Sequence, residues 1–282
     1  MDDMSETTFG MTDPAPERRP QMTPEERATA FARQGRIGLM LACLIIGGWM
    51  AAHAIGMFAF TWSWQSAPVG VALMVLLTWL YVGMFIVAHD CMHGSLVPLK
   101  PAWNRWVGRI CLGLYAGFWY DGMVAKHHAH HRHAGTHDDP DFHDAEPHAF
   151  WPWYAKFFRE YFTGREIIVI AVWVWVYMLL LAVPLANIMT FFTIPAIASS
   201  LQLFLFGTYL PHRPSDPVFV DRHRSRSNDY PHWLSLLTCF HFGYHHEHHD
   251  VPDAPWWRLP TVRDQARREG RSGVAVRDEA TA

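Results

Sequence analysis

Two long stretches of the chain contain no Asp, Glu, Lys or Arg. The first covers 53 residues, from 37 to 89, and the second covers 46 residues, from 167 to 212. A surface helix of a soluble protein carries charged residues on its outward face, so stretches of this length exclude a soluble globular protein. Each stretch has one break near its middle, at 63–68 (SWQSAP) and at 183–187 (VPLAN). Because about 20 apolar residues cross the hydrocarbon core, each stretch predicts two membrane spans joined by a tight turn.

The predicted spans are helices, because an open sheet leaves backbone polar groups unpaired in lipid. They lie near 37–62, 69–89, 167–183 and 189–211. Neither turn contains Lys or Arg, whereas basic residues precede the first span, lie between the second and third, and follow the fourth. The positive-inside rule therefore places both termini and the central segment in the cytoplasm.

Two shorter apolar segments are too rich in aromatic and charged residues to predict spans. Trp106–Tyr120 and Phe150–Phe162 are interpreted as helices in the membrane interface, where Trp and Tyr rings are stable. The polar ends predict a disordered N-terminal tail over 1–30 and a flexible C-terminal tail over 263–282. Residues 31–262 then form the membrane-embedded domain.

Composition removes several classes of function. The net charge of −3 argues against a nucleic-acid-binding protein with a basic surface. The four cysteines have no C-x-x-C spacing, so neither a disulfide framework nor a thiolate metal site is predicted. No G-x-G-x-x-G or P-loop string occurs, which argues against a tightly bound nucleotide. The unusual feature is the presence of 19 histidines.

Most of the histidines fall into clusters with helical spacing at the ends of predicted spans. One cluster has the spacing i, i+4, and two have the spacing i, i+3, i+4, which places their imidazoles on one helix face. An even number of spans separates the clusters, so all of them lie on the cytoplasmic side, together with a histidine that ends the fourth span. Nine imidazoles are enough for two metal ions. The candidate ligands are His89, His93, His127, His130, His131, His212, His245, His248 and His249.

The other histidines are not assigned as ligands. His53 lies within a span and is expected to be a packed or hydrogen-bonded core residue. Surface positions are expected for His143, His148, His223 and His232. For His128, His133, His137, His241 and His246, a supporting role beside the metal and no role at all are both open.

Carboxylates lie close to the clusters in the sequence. A ligating imidazole usually donates its second N–H to a carboxylate or a carbonyl group, so these acids are candidates for that supporting role. Ordinary hydrated side chains are an equal alternative. The candidates are Asp90, Asp138, Asp139, Asp141 and Glu247, with Asp250 beside them. Imidazole suits zinc, copper, iron and nickel, so residue type does not select the metal.

Longer strings around the clusters carry a family resemblance. The clusters resemble the HxxxH, HxxHH and HxxHH boxes of the membrane fatty acid desaturase and hydroxylase superfamily, which has a non-haem di-iron centre. Between Val87 and Pro260 the chain is similar to bacterial β-carotene ketolases, through the strings HDCMHGS, KHHAHHRHAGTHDDPDF, LFLFGTYLPHRP, LLTCFHFGYHHEHH and PWWRLP.

The resemblance implies a fold and a reaction. The fold is an all-α integral membrane protein of the bacterial inner membrane, with four transmembrane helices in two hairpins, a cytoplasmic His-rich di-iron cap and interfacial helices. The reaction is the O₂-dependent introduction of keto groups at C4 and C4′ of β-ionone rings, from β-carotene to echinenone and canthaxanthin. The family pattern makes the nine histidines iron ligands, with His212 as the additional ligand between the second and third boxes. Because His128 and His246 also lie within the second and third boxes, each box can be aligned in more than one register, and these two histidines are possible substitutes within their clusters.

The resemblance also implies a substrate and an electron donor. The substrate would be a carotenoid dissolved in membrane lipid, and the electrons would come from an external ferredoxin-type donor. As a hypothesis, this donor docks near Arg222, Arg224 and Arg226, unless these arginines serve only membrane topology.

The alternative functions are a carotenoid 3-hydroxylase, a lipid desaturase and, in a different class, a His-rich metal transporter. A transporter would need ionisable ligands within the spans, where only His53 occurs.

Overall fold

The computed structural model of the chain describes residues 22–214, 218–271 and 273–274. Within these residues the protein is helical and contains no strand; Phe219 and Val274 form an isolated bridge. The predicted all-α class is therefore confirmed. The helices are α1 (Pro24–Ala59), α2 (Ala67–His93), α3 (Pro101–Ala116), α4 (Tyr120–His133), α5 (Phe150–Tyr161), α6 (Gly164–Leu180), α7 (Leu185–His212), α8 (His232–Cys239), α9 (His245–Asp250) and α10 (Leu259–Arg268).

Three helices are long and apolar enough to cross a membrane, namely α1, α2 and α7. Helix α6 consists of 12 α-helical residues followed by 5 π-helical residues. Its length of about 26 Å is less than the hydrocarbon thickness of about 30 Å. A fourth span results only if α6 is combined with α5, from which it is bent by 81°. The structure thus has three candidate spans, or up to four.

Helix α1 begins earlier than the sequence interpretation placed it. A capping box explains its start, because Glu26 N donates to Thr23 Oγ1 over 3.2 Å and Thr23 N donates to Glu26 Oε2 over 2.8 Å. Pro24 occupies the first turn, where its missing N–H costs nothing. The predicted tail over 1–30 is therefore wrong from Pro24 onwards, and its residues 1–21 lie outside the described residues.

The helical part of the chain also extends further toward the C-terminus than the sequence interpretation placed it. Helix α10 ends at Arg268, inside the segment 263–282 that was predicted as a tail. Arg263 Nη1 donates to the buried Glu247 Oε1 over 2.6 Å, which holds α10 against α9. Residues 272 and 275–282 of this predicted tail lie outside the described residues.

Helix α2 is the centre of the bundle and packs against α1, α3 and α7. It is buried over much of its length, including the polar residues near its C-terminal end. The ring of Phe240 packs closely against α2 at Gly83, where an added Cβ would lie only 2.6 Å from Phe240 Cζ. Phe240 also stacks on Trp79 with ring centroids 4.4 Å apart. The segment that leads into α9 is thereby fixed on α2.

The two predicted hairpin turns lie at the same end of the bundle. Asn187, in the first turn of α7, donates through Nδ2 to Gly56 O and to Phe60 O, both at 2.9 Å. Because α2 and α7 run from these turns to His93 and His212 respectively, the histidine clusters gather at the opposite end.

Candidate metal centre

Four helices contribute the candidate ligands. Helix α2 continues without a break through His89 and His93 and ends at Gly94, whose φ of 71° closes a left-handed cap. Helix α4 carries the second cluster, α7 ends at His212, and the short helix α9 carries the third cluster. Each cluster keeps the one-sided helical arrangement that its spacing predicts.

All nine candidate histidines come together, and they divide into two groups. In each group one nitrogen per residue lies within 4.8 Å of the corresponding nitrogen of every other member. The five-histidine group draws on α2, α4 and α9, and the four-histidine group draws on α4, α7 and α9. The first consists of His89, His93, His127, His131 and His248, and the second of His130, His212, His245 and His249.

The spacing within the five-histidine group fits ligands around one ion. His248 Nε2 lies 3.1 Å from His89 Nε2 and 3.0 Å from His131 Nε2. His93 Nε2 lies 2.6 Å from His127 Nε2. Two nitrogens that each bind a metal at about 2.1 Å, at right angles, would be about 3.0 Å apart. The Nε2 atoms of this group therefore face a common centre at coordination spacing.

The four-histidine group is more deeply enclosed, since all its members are buried. His245 Nε2 and His249 Nε2 lie 3.0 Å apart, and the rings of His130 and His212 have centroids 4.7 Å apart. His212 Nε2 is buried without a hydrogen-bond partner among the described residues. A buried nitrogen of this kind is costly unless it binds something, and a metal ion fits that requirement.

The protonation state suits metal binding at most of these positions. Burial, and then the neighbouring imidazoles, lower the pKa of His127, His248 and His249 well below the ordinary value, so their rings are neutral. A neutral imidazole offers a lone pair to a metal. At His130, burial lowers the pKa, but the Asp139 carboxylate and then that of Asp141 more than offset it and raise the pKa overall.

Outer hydrogen bonds orient two ligands of the four-histidine group. His130 Nδ1 donates to Asp139 Oδ1 over 2.9 Å, and His212 Nδ1 donates to Arg224 O over 2.9 Å. In both rings the Nδ1–H is turned outward, which leaves the Nε2 lone pair facing the group. Asp139 thus occupies the supporting position that the sequence predicts for it. Nothing in the sequence predicts the hydrogen bond from His212 to the Arg224 carbonyl group.

The other predicted acids divide between supporting and unrelated positions. Asp90 Oδ1 lies 3.7 Å from His89 Nδ1, and Asp141 Oδ2 lies 3.8 Å from His130 Nδ1. Asp138 is exposed at the surface. Glu247 is buried but is engaged by Arg263 and by Ser227 Oγ. Among the described residues, neither Asp138 nor Glu247 has a hydrogen bond or an ion pair with a candidate ligand.

The structure selects one register for the second and third boxes. His128 lies outside both groups, and its Nε2 donates to Met92 O over 3.2 Å. His246 also lies outside them, with its Nε2 at 3.6 Å from Asp221 Oδ2. His53 is hydrogen-bonded at both ring nitrogens, to Tyr177 Oη and Phe191 O, as predicted for a core residue.

Helix α5 supports the site in a way that sequence analysis missed. Lys156 Nζ donates to Pro140 O over 2.8 Å and to Phe142 O over 2.6 Å. The fully buried Trp153 donates through Nε1 to Asp141 O over 2.6 Å. These bonds hold the loop that carries Asp139 and Asp141. The aromatic residues of α5 suggested an interfacial helix, and only the isolated Lys156 between aromatic residues hinted at this contact.

An apolar cavity of about 290 Å³ leads to both groups. Its inner end is formed by His89 and His127 of one group and by His130 and His245 of the other. Its walls are mainly aromatic and aliphatic side chains from α2, α3, α5, α6 and α7, including Phe85, Tyr115, Phe157, Phe158, Ile170 and Leu203. An apolar ligand of elongated shape could therefore place one end beside both candidate ions.

Comparisons with known proteins place the chain in a family. Residues 62–168 and 159–280 match the protein family described as Fatty acid desaturase. The chain is 49% identical over 223 residues to a β-carotene ketolase of Paracoccus sp. (strain N81106 / MBIC 01143), covering 78% of this chain and 89% of the relative.

Two further relatives are a β-carotene ketolase of Paracoccus sp. (strain PC1) and a β-carotene 4-ketolase of Protosiphon botryoides. The first is 45% identical over 231 residues, covering 80% of this chain and 92% of the relative. The second is 38% identical over 251 residues, covering 82% of this chain and 64% of the relative. The chain thus belongs to the fatty acid desaturase family and, within it, to the branch of the β-carotene ketolases.

Proposed function

We propose that this protein is a membrane β-carotene 4-ketolase that uses two non-haem iron ions, O₂ and electrons from an external donor. Its products would be echinenone and canthaxanthin. The observation that carries this proposal is the apolar cavity whose inner end is formed by histidines of both groups. A cavity of this kind suits the β-ionone ring of a carotenoid, which offers no charge or hydrogen-bonding group.

The chemistry requires a metal centre. The C4 hydrogen of a β-ionone ring is allylic, and side-chain acids and bases do not remove it oxidatively, whereas bound iron with O₂ supplies the necessary oxidant. The chain provides neutral imidazoles that hold the ions and walls that exclude water. Ring orientation would come from packing, because the cavity lining is mostly hydrocarbon.

The carotenoid would enter from the bilayer. Ile197 on α7 lines the cavity and is also 51% exposed, on a helix that is apolar enough to cross a membrane. An opening at this face would allow a long apolar substrate to leave the lipid and insert one ring toward the histidines. The remainder of the substrate could stay in the hydrocarbon phase.

A four-span topology fits this route. We assign the spans to α1, α2, α7 and, as the fourth, α6 together with α5, with both hairpin turns outside and the metal centre, both termini and the basic segments in the cytoplasm. The basic residues of the central segment, such as Lys126, support this orientation, since neither hairpin turn contains a Lys or Arg. The location would be the bacterial inner membrane.

A ferredoxin-type donor would dock on the cytoplasmic face. Arg224 Nη1 donates to Gly135 O, and the Arg226 guanidinium lies 4.5 Å from the ring centroid of Phe219. These two arginines are therefore engaged in structural contacts, while Arg222 is exposed. Of the three arginines, Arg222 is the best placed to attract an acidic partner.

Charge reversal tests this docking site. Arg222→Glu is expected to raise the donor concentration needed for half-maximal turnover several-fold at low salt, because exposed charges mainly affect the rate of encounter. Turnover at saturating donor should be unchanged, and Lys100→Glu, at another exposed cation, is the matched control. Identical donor dependence of Arg222→Glu and the control would remove Arg222 from the docking site.

Expression in bacteria that accumulate β-carotene tests the function as a whole. Mass and absorption spectra of the pigments should identify echinenone and canthaxanthin. Zeaxanthin would indicate the 3-hydroxylase instead. Unchanged pigment with folded, iron-loaded protein would contradict carotenoid oxidation and would favour a desaturase acting on lipid; protein that binds metal without oxidising either substrate would favour the transporter.

A further inference from the structure

Arg224 lies in the segment between α7 and α8 and touches the metal centre through its backbone. Its φ of 40° is in the left-handed region, which residues with a side chain seldom adopt. In this conformation its carbonyl oxygen accepts the Nδ1–H of His212 over 2.9 Å. Its guanidinium, though exposed, donates through Nη1 to Gly135 O over 2.9 Å. The side chain thus anchors the unusual backbone conformation that orients His212.

Gly135 continues this contact to a second ligand. Its N–H donates to Asp139 Oδ2 over 2.8 Å, and Asp139 Oδ1 accepts from His130 Nδ1 over 2.9 Å. Gly135 has a φ of 64°, and an added Cβ would lie 3.2 Å from both Cβ and Cδ of Arg224. A glycine is therefore required here both by the backbone conformation and by the close approach of Arg224.

The contacts form one chain of bonds from His212 through Arg224, Gly135 and Asp139 to His130. The other two members of the four-histidine group lack such support: the Nδ1 atoms of His245 and His249 are buried without a hydrogen-bond partner among the described residues. The group is therefore held from outside at two of its four rings, and both of these belong to the same chain of bonds.

We propose that Arg224 and Gly135 are positioning residues that join the outer nitrogens of His130 and His212 and so preserve the four-histidine metal site. The Arg224 side chain bonds to Gly135 O rather than to a histidine, and Gly135 has no side chain. This inference rests on the proposed function only in requiring that each group binds an ion. Loss of the guanidinium would free the backbone at Arg224, let the His212 ring turn, and weaken one of the two sites selectively.

The experiment compares Arg224→Ala with Arg222→Ala in full-length protein purified in detergent and reconstituted with Fe²⁺ without oxygen. Iron per chain and the time course of iron release to a chelator are measured. Wild type and Arg222→Ala should hold two ions. Arg224→Ala should release one ion about tenfold faster or more, the range found for partners of metal-ligating histidines, and keep the other at the wild-type rate.

The retained ion also reports that the protein is folded. If Arg224→Ala does not fold, Arg224→Lys is measured in its place. Its ammonium group keeps the positive charge but lacks the planar set of donors that the guanidinium offers. It should release one ion at a rate between wild type and the value expected for Ala. Wild-type release of both ions from the variant that folds would overturn the inference. Wild-type protein that binds no iron would instead contradict the proposed function.

Discussion

Replacement of His248 by Ala is expected to abolish ketolation, with a loss of pigment conversion of at least about 100-fold, the upper range for residues that only support a ligand. His248 has the most central position of the five-histidine group, because its Nε2 lies within 3.1 Å of both His89 Nε2 and His131 Nε2. Its removal would open one site on the side where helices α2, α4 and α9 meet.

His128→Ala is the matched control, because this half-buried histidine belongs to a box yet lies outside both groups. It should keep most of the conversion. The measurements are the echinenone and canthaxanthin content of β-carotene-accumulating cells at equal protein level, and the iron content of purified protein. Substantial conversion by His248→Ala, or an equal loss in His128→Ala, would show that the ligand set is wrong.

Filling the cavity should have the second largest effect. Ala196 lies on α7, is half-buried and lines the cavity next to Ile197. Ala196→Phe would place a benzyl group where the ring of the substrate must pass, and turnover should fall about 100-fold, since small misplacements of a reacting group cost this much. Both iron ions should remain bound, because Ala196 is not among the histidine groups.

The control for this variant is Ala171→Phe, which adds the same group at an exposed position of α6. It should leave turnover and iron content unchanged. Wild-type turnover in Ala196→Phe would show that the substrate does not use this cavity. Loss of iron from Ala196→Phe would show instead that the substitution disturbs the metal centre.

Local spacing explains why the meeting of the nine histidines could be predicted from the sequence. The offsets of three and four residues fix which imidazoles share a helix face, and the count of predicted spans predicts that the clusters lie on the same side of the membrane. The same reasoning could not predict the division into five and four. His130 and His131 are neighbours in the sequence but belong to different groups, and the rotation of about 100° between successive helix positions directs their rings to different centres beside the same face of α4.

Features that depend on distant contacts escaped the sequence analysis. Arg224 contacts Gly135 across 89 positions of the chain, and Lys156 bonds to backbone carbonyls, which carry no sequence signal. The start of α1 is a different case. Its capping box, Thr23 to Glu26, was readable from the sequence, and the Pro-rich composition of the preceding residues obscured it.

The distribution of the four-histidine group over α4, α7 and α9 has a consequence for how the enzyme matures. Its members come from positions as far apart as His130 and His249, and α9 is fixed on α2 by Phe240. During synthesis no local segment can assemble this group. Any metal ion that this group binds can therefore be loaded only after α9 has packed beside α4 and α7, late in the folding of the chain.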